Sequence, residues 1–169
     1  MTEKNKTIPV VSIVGKSNTG KTTLIERIIP ELNRRGYRVA TIKHHGHGFE
    51  ADEEGKDTWR HKQAGARMTV FSSPRRVAVV EDVERDQGIE ELLAQYVHDV
   101  DLVLTEGFKK NTLPKIEVFR ADRKEDLLSR DDAKLLAVVG DKPPDLNIPW
   151  FDREDVRGIV DMIETRFLR

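Results

Sequence analysis

The chain has 169 residues, of which 29 are Lys or Arg and 30 are Asp or Glu, so its formal charge is −1. That length suits one domain spanning 1–169. Its 37% apolar content can build a core and argues against wholesale disorder, while balanced signs within 35% charged residues give no basis for attraction to nucleic acid or an anionic membrane.

The absence of cysteine excludes disulfides, thiolate catalysis and Cys-ligated metal centres, and it fits a reducing compartment. The first apolar run, 8–14, holds Pro9 and Ser12, is too short to span a membrane and is followed by no small-residue cleavage pattern. It reads as the first buried strand of a soluble, cytoplasmic protein. Leu24, Ile25, Ile28, Ile29 and Leu32 then recur at helical spacing over 21–35, with Gly36 closing the helix and Pro30 expected to kink it. A strand pattern returns at 37–43.

A polar stretch, 44–56, precedes a short helix from Thr58 to about Ala64, with Asp57 as a candidate N-cap. Strands are expected at 68–71 and 76–80 around a Ser73-Pro74 turn, a helix at 89–97, and strands at 100–105, 116–119 and 135–139. Nine of the thirteen residues 120–132 are charged, which makes that segment a solvated loop or small helix. Pro143-Pro144 breaks the chain before a closing amphipathic helix, 156–167. Strand–helix alternation over one core predicts an α/β fold: a mostly parallel, doubly wound sheet flanked by helices, with one antiparallel hairpin around Pro74. Ligands in such sheets sit beyond the carboxyl ends of the strands, which directs attention to the loops after Val14, Lys43, Thr105 and Val139.

The first of those loops carries the strongest signal. Gly15, Lys16, Ser17, Asn18, Thr19, Gly20, Lys21 and Thr22 match G-x-x-x-x-G-K-[ST], between a buried strand and a helix as the motif's chemistry requires. The glycines let successive N–H groups curl around phosphate oxygens, and the helix N-terminus adds partial positive charge. Lys21 would reach the β- and γ-phosphates, and the Thr22 hydroxyl would ligate Mg²⁺. Lys16 resembles the extra lysine that dimeric P-loop NTPases send to a partner's nucleotide, but the variable positions of the motif accept lysine freely, which favours an ordinary loop residue.

A metal-side carboxylate should end an apolar strand. Asp101-Leu-Val-Leu-Thr-Glu106-Gly107 ends in Glu106, long enough to act on Mg²⁺ through water, and its position favours that role over a surface strand end. The acidic cluster 52–58 reads equally as a loop over the phosphates, with Asp57 beside the metal, and as a solvated loop. His44, His45 and His47 form the only histidine cluster, but adjacent residues of an extended chain face opposite ways and no cysteine completes a soft-metal site; ligand contact at a strand end is the better reading.

Three stretches, IVGKSNTGKTTLIERIIPELNRRGYRVATIKHH, DEEGKDTWRHKQAGA and DLVLTEGFKKNTLPKIEVFR, together resemble the molybdopterin-guanine dinucleotide biosynthesis protein B family. The resemblance implies a homodimeric, GTP-binding accessory protein; slow hydrolysis at most is expected from the residues, because no Gln or Arg in the named loops is placed to orient water or neutralise transition-state charge. It would assist a separate guanylyltransferase, its partner protein, in attaching GMP to molybdopterin. It carries the phosphate role to Gly15, Gly20, Lys21, Thr22 and Thr23, sets Asp57 on the second Asp of D-x-x-G-K-D-S with Thr58 in place of Ser, and sets Glu106 on the Glu of E-G-F-K. No N-K-x-D guanine motif is present; Asp141, in Gly140-Asp141-Lys142-Pro143, is the nearest candidate to accept from guanine N1 and N2. Two other readings compete. A P-loop small-molecule kinase would need an arginine-rich lid, but 120–130 carries as many acids as arginines, and a metal-delivery GTPase would rest on His44, His45 and His47.

Overall fold

The computed structural model describes residues 7–108, 112–120 and 126–169. The chain divides into two compact units, Met1–His44 with His98–Arg169, and His45–Val97.

The first unit is built on six strands, β1 (Val10–Val14), β2 (Val39–Lys43), β5 (Leu102–Glu106), β6 (Lys115–Val118), β7 (Leu135–Gly140) and β8 (Trp150–Asp152), in the order β2-β5-β1-β6-β7-β8. Every neighbouring pair is parallel. Continuous apolar runs such as VVSIV are what strands covered on both faces need. Val11 and Ile13 of β1, Leu102 and Leu104 of β5, and Ile116 and Val118 of β6 join one core cluster with the apolar stripes of α1 (Lys21–Arg34) and α4 (Val156–Phe167). Ser12 of β1 and Thr105 of β5 are fully buried, and the Thr105 hydroxyl donates to Ser12 Oγ at 3.0 Å, which satisfies two hydroxyls that burial would otherwise penalise.

The helices depart little from the sequence pattern. α1 runs without interruption through Pro30, whose ring is on the exposed side. α4 begins where its periodicity does, with the Asp155 side chain accepting from the Gly158 N–H at 3.0 Å as an N-cap. The strand Trp150–Asp152 was not anticipated. It pairs with β7, and Trp150 packs against a second cluster of Leu127, Leu135 and Val138.

Charged residues buried in β6 tie the chain that follows to the sheet. The Glu117 carboxylate, 2% exposed, takes the N–H groups of Leu128 and Ser129 at 2.7 and 2.8 Å, and Lys115, equally buried, is paired with Asp132. The charged segment 120–132 is therefore anchored at its far end, while residues 121–125 lie outside the described residues.

The second unit holds α2 (Asp57–Gln63), the antiparallel hairpin β3 (Met68–Ser73) and β4 (Arg76–Glu81), and α3 (Ile89–Tyr96). Ser73 Oγ accepts from the Arg76 N–H at 3.0 Å and closes the turn through Pro74. The hairpin is a separate two-stranded sheet, so the six-stranded sheet is wholly rather than mostly parallel. The N-cap of α2 is Lys56, without a side-chain cap bond; Asp57 is the first helical residue, and the capping role considered for it is not the one observed.

An ion-pair network joins the C-terminal turn of α1 to α4. Glu31 accepts from Arg34 and Arg35 at 2.8 and 2.9 Å, Arg35 also reaches Asp161 and Glu164, and the Tyr37 hydroxyl donates to Glu164 at 2.8 Å. Arg34 first, then Arg35, hold the Glu31 carboxyl down to about 2; Tyr37 first, then Arg35, lower Glu164 in the same direction. A depressed carboxyl contributes stability above its ordinary value of 4.5 and loses it as pH falls toward its folded value of about 2. Glu31→Gln is therefore expected to melt below the unaltered protein at neutral pH, with the gap closing between about pH 4.5 and about pH 2. Melting curves across that window check it; a constant gap would contradict it.

Candidate functional site

The loop between β1 and α1 is shaped by backbone conformations that few residue types adopt. Gly15 has φ +139°, and a Cβ there would stand 2.4 Å from the carbonyl oxygen of Val118, at the end of the neighbouring strand β6. Asn18 is left-handed at φ 59°, and Gly20, the N-cap of α1, at φ 101°. Thr19 is buried and its hydroxyl donates to the Lys16 carbonyl at 3.0 Å, bracing the loop from inside. Lys21 Nζ donates to the same carbonyl at 2.7 Å, so its ammonium folds back over the loop rather than out to solvent. The sequence 15–22 is thus a cradle of amides at a helix N-terminus with one cation at its mouth, an arrangement suited to phosphate.

Parallel pairing delivers the carboxylate beside Thr22. β5 lies between β1 and β2, with Ile13 opposite Glu106 and Lys43 opposite Glu106 across the two ladders. Glu106 ends its strand with both carboxylate oxygens near the Thr22 hydroxyl, which donates at 3.2 and 3.3 Å. Lys43 Nζ stands 3.7 Å from Glu106 Oε2. At the next residue the backbone turns sharply: Gly107 has φ +99°, and a Cβ there would meet the His44 carbonyl oxygen at 2.2 Å. A hydroxyl and a carboxylate converging at the foot of a phosphate loop are hard oxygen donors of the kind Mg²⁺ takes.

On the other side of the loop a cavity of about 280 Å³ opens. Asn18, Thr19, Gly20 and Thr23 form one wall and Val118, Val139, Arg120 and Arg153 the other. Arg153 Nη2 donates to the Phe119 carbonyl at 2.8 Å, and Nη1 lies 3.8 Å from the place a Gly20 Cβ would occupy. Two of the cationic lining residues escaped the sequence reading. Arg153 follows the short strand β8, which Pro143, Pro144 and Pro149 hide from any periodicity, and Arg120 follows β6. Lys43 was also missed as a site residue, because only the strand order makes it a neighbour of Glu106.

The remaining site expectations fare unevenly. Gly15, Lys16, Ser17, Asn18, Thr19, Gly20, Lys21, Thr22 and Thr23 are brought together with Glu106. Asp57 opens α2 in the second unit, with its side chain 90% exposed and 4.0 Å from Arg60. Asp141 is exposed just beyond β7 and is not among the residues lining the 280 Å³ cavity. His44 closes β2, its N–H donating to the Glu106 carbonyl at 2.8 Å and its ring 4.8 Å from Phe108. His45 Nδ1 is bonded to the His47 carbonyl at 2.7 Å, and among the described residues no three His, Cys, Asp or Glu side chains are grouped to hold a metal ion, so the metal-delivery reading finds no support. The charged segment offered as a kinase lid falls partly on 121–125, outside the described residues.

Comparison with known proteins follows the same lines. Residues 10–141 match the family model for molybdopterin guanine dinucleotide synthesis protein B. The chain is 37% identical over 161 residues to the molybdopterin-guanine dinucleotide biosynthesis adapter protein of Haemophilus influenzae, covering 95% of this chain and 90% of that one. It is 35% identical over 162 residues to the adapter protein of the same name from Escherichia coli, with 92% and 91% covered. The crystal structure of a molybdopterin-guanine biosynthesis protein B superposes with a TM-score of 0.77 at 33% identity over 95% of this chain and 99% of that one. Bacillus subtilis MobB superposes at 0.75 with 30% identity, over 95% and 98%. A parallel sheet in this strand order, a phosphate loop after its central strand and relatives matched nearly end to end agree: the chain belongs to the molybdopterin guanine dinucleotide synthesis protein B family.

Proposed function

We propose that this chain is a GTP-binding adapter in the synthesis of molybdopterin guanine dinucleotide. Its curated relatives are named for that adapter role, and the observation that carries the nucleotide part is the convergence of Lys21, Thr22 and Glu106 at the loop 15–22. The amides of that loop and Lys21 would take the β- and γ-phosphates, and Thr23, which lines the cavity beside the loop, shares the phosphate role by the family pattern. Thr22 and Glu106 would hold Mg²⁺, which would supply charge neutralisation to the phosphates; Asp57, carried over from the family pattern, is the second carboxylate assigned to it. Lys43, its Nζ 3.7 Å from Glu106 Oε2, would compete with the ion for that carboxylate. Asp141 accepts from the guanine edge.

An adapter has no need of fast turnover, and hydrolysis is slow in this reading. GMP transfer to molybdopterin falls to a guanylyltransferase with which the chain associates in the cytoplasm. Among the described residues no helix is long and apolar enough to cross a membrane. The chain acts as a homodimer, a reading supported by one face of the hairpin. Met68, Val70, Val77 and Val79 lie there together and are 44–66% exposed, and a two-stranded sheet with a bare apolar face gains most from a second copy.

Two measurements test the nucleotide site. Lys21→Ala removes a cation that folds over the loop and is no part of the apolar core, so its circular dichroism should be unchanged while calorimetric binding of Mg·GTP falls below detection. Unaltered GTP affinity would sink the phosphate assignment. Glu106→Gln should weaken GTP binding about tenfold or more with Mg²⁺ present, in keeping with a lost charge-assisted contact, and hardly at all in EDTA. Equal losses under both conditions would make Glu106 a brace for Thr22 rather than a metal-side acid.

A further inference from the structure

The second unit contains a cavity of about 480 Å³, within the size range of small-molecule sites. Its floor is one face of the hairpin. Pairing sets Thr69 opposite Val80 and Phe71 opposite Ala78, and alternation turns these four side chains the same way, away from the Met68 and Val70 face. Its rim is the loop before α2, which contributes Asp52, Glu53 and Lys56, together with Asp57 and Thr58 at the start of that helix.

Three properties of this enclosure specify a ligand. Phe71, 67% exposed, lines it with a broad aromatic face beside the small side chain of Ala78, and no ring among the described residues stacks on it; such a surface suits a flat ring. Thr69 is 8% exposed, yet its hydroxyl has no hydrogen-bond partner among the described residues. The oxygen itself is not sealed off, the buried unpartnered side-chain atoms among the described residues being Trp150 Nε1 and Arg153 Nε, so it offers a polar contact point on an otherwise apolar floor. The rim carboxylates are acceptors only, and Asp52 is half-buried and oriented by the Glu53 N–H, which donates to its Oδ1 at 2.8 Å.

A flat ligand that answers a carboxylate must carry parallel donors along one edge. An adjacent ring N–H and exocyclic amino group do this, each donating to one carboxylate oxygen. Adenine has the amino group without the neighbouring ring N–H; the 2-amino-4-oxopyrimidine ring has both. We propose that this cavity is a binding site for a fused heterocycle with a 2-amino-4-oxopyrimidine edge, with Phe71 as its stacking platform, Asp52 reading the donor edge and Thr69 contacting the ring from the floor. Pterins and guanine share that edge. The pterin source rests on the proposed adapter role; the ring chemistry does not. Lys56 at the rim favours a ligand with an anionic appendage outside the ring.

Two phosphate-free probes, neopterin and guanosine, are titrated into the full chain, with adenosine as control, neopterin being followed by its own fluorescence. The expected result is saturable binding of at least one probe, about tenfold or more tighter than adenosine, as a two-donor contact gives. Lys21→Ala should leave it unchanged. Phe71→Ala should weaken it at least about fivefold, the lower end of what a lost stacking contact costs. Asp52→Asn, a loop change that keeps shape and removes the charge, should weaken it similarly and guards against misfolding of the Phe71 variant. Neopterin alone binding assigns a pterin site, and guanosine alone assigns a second guanine site. Saturation by neither at about 1 mM, equal binding of adenosine, or binding indifferent to both Phe71→Ala and Asp52→Asn would overturn the inference. Mg·GTP binding by the same sample separates the two failures: GTP bound with no probe bound refutes this site alone.

Discussion

The chemistry of this chain depends on one backbone reversal, where β1 ends and α1 begins. Gly15 takes that turn with its Cα against the Val118 carbonyl, so close that a methyl group would overlap the β6 backbone. Asn18 and Gly20 then continue through left-handed conformations, and the curl aims amides at one point. Parallel pairing on both sides of β1 supplies the rest. β5 brings Glu106 to Thr22 on one flank, and β6, β7 and the turn after β8 bring Val118, Val139 and Arg153 to the other. Glu106 and the cationic cavity thus face the same loop from opposite sides because the sheet order places β1 between their strands.

Most of the first unit was legible in the sequence, for physical reasons. Buried parallel strands show as unbroken apolar runs, helices as 3.6-residue stripes, and the phosphate loop as glycines at fixed offsets, so β1, α1, α4 and the loop 15–22 fall within a few residues of their expected limits. β8 was not legible, because three residues after Pro149 carry too little period to register. Lys43 was not legible as a site residue because its neighbour Glu106 is far away in sequence and adjacent only once β2 and β5 pair. Lys115 and Glu117 look like surface residues in a short strand; their burial rests on partners later in the chain, Asp132 for Lys115 and the amides of Leu128 and Ser129 for Glu117.

The second unit was read correctly as to its elements and only partly as to its organisation. Ser73 and Pro74 announced a hairpin, but alternation in MTVFSS and RVAVVE is apolar on both faces, a pattern that does not say whether the strands join a larger sheet. They form their own, leaving Met68, Val70, Val77 and Val79 on one side and Phe71 on the other exposed. Asp57 shows the same limit from another direction. Its place just before the helical stretch that starts at Thr58 suggested a cap, whereas Lys56 holds the capping position and leaves the Asp57 carboxylate exposed beside its own helix.

The central claim is that Lys21, Thr22 and Glu106 converge to bind a nucleoside triphosphate with its metal. It is tested most directly by crystals grown with a non-hydrolysable GTP analogue and Mn²⁺ in place of Mg²⁺. The expected map has an anomalous peak within coordinating distance of Thr22 Oγ1, with Glu106 beside it directly or through water. Lys21 Nζ should have moved from the Lys16 carbonyl to the β- and γ-phosphates. An analogue bound elsewhere, or one bound at the loop with no manganese near Thr22 and with Lys21 still on the Lys16 carbonyl, would contradict it.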